Sequence, residues 1–397
     1  MLQQIDINDL KPGMFVNNVI EQSGMLKIKT KGMVNSAKSI QILKAKGVQK
    51  LEIDLSRSKI DQSESSIDAS GSASQQQSTE SVPALSDREQ LDAATQLYNQ
   101  ALTIQSRFFK RLEAKDTPSL ASVKDLSLNI IDSVVAMPNG LSCLSMMNKT
   151  GKYLLEHSLN CSIFLTMFAQ HRNMSQAEIE SISMAGLLMD VGMTNMPNDI
   201  TQSTKKLTDA QKEIVTTHVD IGLDLIDRCG DVSDIVRDII FNHHERIDGS
   251  GYPDSQNDVD VSVYARMAAI VDSYDAMISE RLFKKALTPS RALSRLLKDP
   301  SYDQALVTQF IQCVGVHPVG SLVKLNNGRL AIVIRGNSTT PLQPTVSTFY
   351  HIKTANYSEV KTIDLSRSEV KIESSVRPEE FGLNLTKFFK DVFSGAL

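Results

Sequence analysis

The run His243-His244-Glu245-Arg246-Ile247-Asp248-Gly249-Ser250-Gly251-Tyr252-Pro253 decides how this chain is read. It closes a helical pattern, Asp234 to Glu245, in which Val236, Ile239 and Ile240 share an inward face with His243. A single helical histidine on an apolar face is ordinarily a core residue with a local partner. Two in succession, followed at once by a Gly- and Pro-rich loop, call for another explanation.

Outward from this run the chain is helical in both directions. Glu156 to His171 places Leu159, Ile163, Phe164 and Met167 on one face, and His157 opens it. Gln176 to Asp190 is apolar nearly all round, the mark of a buried helix, and ends in an acid. Thr208 followed by Gln211 is a capping-box start for a helix through Arg228, with His218 in its middle. Ser262 to Ser279 is a further helix on which Ala265, Ala268, Asp272 and Ala276 share a face. Acids and imidazoles aimed into a bundle need partners, because an isolated buried charge costs several kcal/mol. A divalent metal held by side chains from several helices satisfies them together. Residues from about Leu120 to Ile311 therefore read as one all-α domain.

The flanks differ. Residues 1–55 hold short β-like runs, Met14 to Val16 and Val48 to Leu55, around a helical stretch from Ser36 to Lys46 that ends at Gly47. This is a small α+β module. Asp61 to Ser81 contains eight Ser and four Gln in 21 residues, too little apolar content to offset its ordering entropy, so 56–86 reads as a flexible linker. Leu91, Ala94, Leu97, Ala101, Ile104 and Phe108 make 87–118 a connecting helix, equally suited to a dimer contact and to packing on its own domain. After Pro318 a hairpin turning at Asn326-Asn327-Gly328 and further strands at Thr345–Ile352 and Val360–Leu365 give a β-rich extension, 318–397, with a terminal helix. The hexapeptide Ile-Asp-Leu-Ser-Arg-Ser occurs at 53–58 and again at 363–368, too short a match to establish a duplicated module.

Composition narrows the function classes. The chain has 397 residues, 42 Lys and Arg against 46 Asp and Glu, and a net charge of −4, which gives no support to a nucleic-acid polymer or a membrane surface as partner. No apolar run reaches the ~18 residues of a membrane span, and Asp6 and Asp9 stand where a signal peptide needs positive charge. Cys143, Cys161, Cys229 and Cys313 are scattered, as reduced core thiols are. A cytoplasmic location is expected.

The His243-to-Pro253 run, with Asp272-Ser273-Tyr274-Asp275-Ala276, Arg281-Leu282-Phe283-Lys284 and His317-Pro318-Val319-Gly320-Ser321, resembles the HD-GYP family, bacterial phosphodiesterases acting on cyclic di-GMP. Residues 1–55, with Leu10-Lys11-Pro12-Gly13-Met14-Phe15-Val16, are similar to an N-terminal module often attached to such domains. The resemblance covers roughly residues 130–335 and implies a mainly α fold, an HD-type helical bundle over 119–317. It implies metal ligation by His157, Asp190, His218, His243, His244 and Asp272, with Asp190 bridging two ions and central to catalysis. Gly251, Tyr252 and Pro253, with Arg281 and Lys284 as phosphate contacts, would bind substrate. Carboxylates mixed with imidazoles suit Fe or Mn, one ion or two, at least as well as Zn. The implied partner is cyclic di-GMP or a related cyclic dinucleotide, with a signalling protein and a second copy of the chain as further options.

The departure from the family pattern is Gly186-Leu187-Leu188-Met189-Asp190-Val191-Gly192-Met193, where His-Asp-x-Gly-Lys is expected. Met189 removes an imidazole and Met193 a lysine near the scissile phosphate. A thioether is a poor ligand for a hard divalent ion, so the metal position served by His157 and Asp272 is weakened. Three readings follow: a weakened phosphodiesterase, an inactive dinucleotide receptor or protein-binding module, and a scaffold whose methionines only fill the core. Limited proteolysis is expected to cut first within 61–81; cleavage within 150–310 that spares this stretch would contradict the domain boundaries drawn here.

Overall fold

The computed structural model describes residues 2–11, 14–22, 32–34, 40, 43–44, 48–54, 87–147, 151–280, 285–337 and 339–383. The linker, Arg281, Lys284, the terminal helix and most of the expected 36–46 helix lie outside these residues. The chain divides into two compact units, residues 1–80 and 81–397. In the first, β1 (Leu2–Asp6), β2 (Phe15–Gln22), β3 (Gly32–Met33) and β4 (Val48–Asp54) form an antiparallel sheet in the order β1-β4-β2-β3. Leu51 and Ile53 on the central strand, with Val16, Ile7 and Leu10, are its buried core.

The second unit opens with α1 (Asp87–Glu113), whose three-and-four spacing buries Ala94, Tyr98, Ala101, Phe108 and Leu112. It packs on α2 (Ala121–Ala136), α3 (Pro138–Met147) and α4 (Tyr153–His171), so this helix belongs to the bundle of its own domain. α4 is buried at every residue from His157 to Thr166, which explains why its sequence is apolar on more than one face. α5 (Gln176–Leu188) starts with a full capping box from Ser175 and Glu178 and crosses α4 at Gly186. A Cβ on Gly186 would lie 2.5 Å from Ser162 Cα, so only glycine allows this approach.

The pattern from Thr208 to Arg228 forms two helices, α7 (Asp209–Thr216) and α8 (His218–Cys229), after the short α6 (Asn198–Thr201). The capping box at Thr208 and Gln211 is present as read. The break comes from hydroxyls: Thr216 and Thr217 donate back to the carbonyls of Glu213 and Ile214, which competes with the helical ladder. His218 thus stands at the head of a helix rather than in the middle of one. α9 (Asp234–Asn242), α10 (Val263–Ile278), α11 (Pro289–Lys298) and α12 (Gln304–Val314) complete the bundle. No described helix is long and apolar enough to cross a membrane.

The C-terminal strands β5 (Leu322–Leu325), β6 (Arg329–Arg335), β7 (Thr345–His351), β8 (Asn356–Asp364) and β9 (Ile372–Ser375) make an antiparallel sheet ordered β8-β7-β6-β5-β9. The β5–β6 hairpin turns at Asn326 to Gly328, with Gly328 at φ +74° as its turn requires. Cys143 and Met146 of α3 pack into the core of this sheet. Replacing Gly186 by Ala should push α4 from α5 and lower unfolding stability by about 1–3 kcal/mol. Chemical denaturation reads this directly, and a variant as stable as the parent would contradict the contact.

Candidate metal centre

Asp190 lies in a turn between α5 and a 3-10 segment, Val191–Asn195. Gly192 presses that segment onto the start of α8, since a Cβ there would stand 1.9 Å from the His218 carbonyl oxygen and 2.7 Å from Gly222 N. This approach sets the Asp190 carboxylate among imidazoles from three helical elements. Its Oδ2 lies 3.2 Å from His157 Nε2, and its Oδ1 lies 3.5 Å from His218 Nε2 and 3.9 Å from His243 Nε2. Burial opposes its charge, but the adjacent imidazoles of His157 and His243 outweigh burial and hold the carboxyl well below the usual range.

The helices settle which nitrogens face inward. His218 Nδ1 donates to the Val215 carbonyl at 2.7 Å. His243, following the last residue of α9, donates from Nδ1 to the carbonyls of Ile239 and Ile240 at 3.0 and 3.1 Å. In both rings Nδ1 is taken up by a carbonyl, so Nε2 is the nitrogen turned toward the cluster. Those two Nε2 atoms are buried and have no hydrogen-bond partner among the described residues. Burial holds His218 below its ordinary range; burial and the neighbouring His243 hold His244 well below it. Neutral imidazole is the state that ligates a metal. Ligand atoms of Asp190, His218, His243 and His244 all lie within 4.8 Å of one another.

A second set shares Asp190. His157 Nε2 lies 2.9 Å from Asp272 Oδ1, and His157, Asp190 and Asp272 offer atoms within 4.8 Å of one another. His157 Nδ1 donates to Asp275 Oδ2 at 2.6 Å, and Asp275 Oδ1 accepts from Asn160 Nδ2 at 2.9 Å. Asn160 Oδ1 in turn accepts from the Tyr98 hydroxyl of α1 at 3.0 Å. Cys161 Sγ lies 3.8 Å from both ring nitrogens of His157, and the Tyr153 ring stacks on that imidazole at 5.3 Å. Burial works against a proton on His157; Cys161, Tyr153 and the bonds to Asp190 and Asp272 outweigh burial and raise its pKa well above the ordinary range.

The loop after His244 is pinned from inside. Glu245, buried, accepts from the backbone N–H of Asp254 at 2.7 Å and of Gln256 at 3.0 Å. Arg246 lies over the Tyr302 ring at 4.7 Å and reaches the carbonyl of Glu245 at 2.8 Å. Tyr252 stacks on His244 with centroids 4.6 Å apart, which puts the Gly251-Tyr252-Pro253 turn beside the cluster. Gly251 is indeed a close-approach glycine, but the backbone it approaches is its own: a Cβ would lie 2.5 Å from Arg246 N and 2.6 Å from the His244 carbonyl oxygen.

All six residues expected as ligands thus stand in one cluster, drawn from α4, the turn after α5, α8, the end of α9, and α10. Arg281 and Lys284 lie outside the described residues. Sequence reading did not single out Asp275, Asn160, Tyr98, Cys161 or Glu245. Asp275 was within reach, being one helical turn beyond Asp272 on the same inward face. The orphaned nitrogens of His218 and His243 facing a buried carboxylate fit a divalent cation, since polar atoms so buried otherwise lack any partner. Met189 is fully buried in the hydrophobic core. Removing the loop pin by Glu245→Ala should cost about 1.5–3 kcal/mol for each charge-assisted bond lost. Hydrogen exchange should then accelerate at the amides of Asp254 and Gln256; unchanged protection would sink the assignment.

Comparison with known proteins agrees with this arrangement. The HD-domain family matches residues 130–306, a domain of unknown function matches 2–123, and a KOW domain associated with HD domains matches 322–384. A cyclic di-GMP phosphodiesterase of Pseudomonas aeruginosa is 28% identical over 372 residues, spanning 93% of this chain and 90% of the relative. A cyclic di-GMP phosphodiesterase of Vibrio cholerae is 29% identical over 237 residues, 53% of this chain and 48% of its own. A 3′3′-cGAMP-specific phosphodiesterase of the same organism is 26% identical over 175 residues, 44% of this chain and 31% of its own. The chain carries an HD domain set between an N-terminal domain of unknown function and a C-terminal KOW domain, and over most of its length it is similar to a cyclic di-GMP phosphodiesterase.

Proposed function

We propose that this chain is a metal-dependent phosphodiesterase of bacterial second-messenger signalling in the cytoplasm, hydrolysing cyclic di-GMP or a close relative. The observation that carries this reading is the pair of unpartnered Nε2 atoms, on His218 and His243, turned toward the buried Asp190 carboxylate. Asp190, His218, His243 and His244 hold one ion, and His157, Asp272 and the shared Asp190 hold a weaker second. Mixed carboxylate and imidazole donors favour Fe or Mn. A bound ion supplies Lewis acidity toward the phosphodiester and lowers the pKa of water. His218 and His244, whose pKa values are held down, and Asp190, whose carboxyl is held ionised, are already in their ligating states. Tyr252 and the turn around it form the wall against which the substrate lies, and Arg281 and Lys284 neutralise its phosphate oxygens.

Hydrolysis is weak on this reading. Met189 faces the core and brings no nitrogen to the cluster, and Met193 brings no charge. The same burial of Met189 favours a second reading, in which the pocket binds the dinucleotide as a receptor without cleaving it.

Incubation of metal-loaded protein with cyclic di-GMP, followed by chromatography for linear products, separates the two. The double substitution Met189→His and Met193→Lys should raise turnover by about tenfold or more, within the roughly 10²–10³ that a well-placed electrostatic group supplies. A parent turning over at ~1 s⁻¹ would show that the methionines are compensated. Absence of both hydrolysis and binding, in parent and variant alike, would overturn the proposal.

A further inference from the structure

Helix α1 carries a buried tyrosine whose hydroxyl has a polar partner on α4. Tyr98 is fully buried, and its hydroxyl donates to Asn160 Oδ1 at 3.0 Å. Asn160 is buried as well and donates from Nδ2 to Asp275 Oδ1 at 2.9 Å and to the Ser145 carbonyl at 3.3 Å. Asp275 Oδ2 receives the Nδ1 proton of His157 at 2.6 Å. Tyr98 donates to Asn160 and Asn160 to Asp275, while His157 donates to Asp275 from the other side, so the bonds converge on that carboxylate and the amide of Asn160 can be oriented only one way. Reversing it would turn an oxygen toward a carboxylate and a carbonyl, and an NH₂ toward a hydroxyl that would then have to accept.

We propose that Tyr98 and Asn160 are positioning residues of the metal centre, acting through Asp275 to hold His157 with Nδ1 protonated and Nε2 turned toward Asp190 and Asp272. The physical basis is the carboxylate–histidine pairing, in which a carboxylate on one ring nitrogen fixes tautomer and orientation and makes the other a better donor to metal. A carboxylate does this only when it is itself held in place. Asp275 sits on α10 and His157 on α4, and Asn160, one turn beyond His157, braces the carboxylate from the same helix as its target. Tyr98 closes the line from a third helix. Among the described residues no comparable line reaches His218 and His243, whose Nδ1 atoms donate to carbonyls of their own helical segments. The line therefore serves the His157 half of the cluster alone, the half already short of one donor at Met189.

This inference rests on the metal-centre reading above, and its test separates the two. Mn²⁺ binding to the full chain is measured by competition with a chromogenic chelator, resolving a tighter and a weaker ion, with thermal unfolding in parallel. Tyr98→Phe keeps the ring and removes only the hydroxyl. It should weaken the weaker ion by about 10–100-fold, the range for losing a partner behind a ligand, while leaving the tighter ion unchanged. Asn160→Leu, close in shape, should do the same. Phe108→Leu, in the same helix and the same core but without a polar partner, should lower the unfolding temperature and leave both affinities alone. Parent protein that binds no Mn²⁺ at all refutes the metal-centre reading, and this inference with it. Parent that binds two ions, with Tyr98→Phe and Asn160→Leu matching it at both, overturns the positioning role only. It is likewise overturned if Phe108→Leu weakens the second ion as much as Tyr98→Phe does, because the effect is then one of packing.

Discussion

One buried carboxylate governs the arrangement of the helical domain. Asp190 is 7% exposed, and an unpaired charge in such a place costs several kcal/mol. Three imidazoles lie within 4 Å of its oxygens, and they come from α4, α8 and the end of α9. Bringing those helices together demands backbone approaches that a Cβ would block. Gly186 lets α5 lie on α4, and Gly192 lets the turn after Asp190 lie on the first residue of α8. The cluster is thus not an addition to a finished bundle. The close approach at Gly192 that sets Asp190 beside His218 is also a contact that packs the bundle.

How much of this the sequence discloses follows from distance along the chain. The inward face of α9, the cap at Thr208 and the all-round apolar α5 are local patterns, and each appears in the structure near its expected ends. The six clustered residues were legible only through resemblance, since singly each reads as an ordinary core histidine or helix-end acid. Their supports were not legible at all. Asp275 and His157 are 118 positions apart, and Tyr98 and Asn160 are 62 apart. A hydroxyl or amide in a helix carries no mark of which distant group it will meet. The break between α7 and α8 was missed for a different reason. Thr216 and Thr217 are weak helix breakers whose effect depends on rotamer, not on spacing.

The loop from Glu245 to Gln256 shows how a Gly- and Pro-rich segment is held in place. Glu245 accepts two backbone amides from the loop's far side, and Gly251 folds back against residues 244–246. Tyr252 then has one position to occupy, against the ring of His244. A loop otherwise free to sample many states is tied to the helix that supplies two of the histidines. Whatever lies against Tyr252 is therefore registered to the cluster, which is what a site built on a rigid scaffold requires.

The two halves of the cluster differ in what holds them. His218 and His243 are oriented by carbonyls three or four residues back, so their geometry is complete once a single turn of chain is formed. His157 is oriented by Asp275, and Asp275 by Asn160, so its geometry depends on the register of α4 and α10, with α1 behind them. Local support survives strain elsewhere in the bundle; long-range support does not, because a shift of one helix lengthens a bond in the line. The locally held pair, His218 and His243, faces Asp190 Oδ1, and His157 faces Oδ2. Met189, next to Asp190 in the chain, is fully buried in the hydrophobic core. Among the described residues the sets Asp190, His218, His243, His244 and His157, Asp190, Asp272 have Asp190 alone in common. The two sides of Asp190 are thus held by different means, one by carbonyls of the same turn of chain and the other by a line of side chains from three helices.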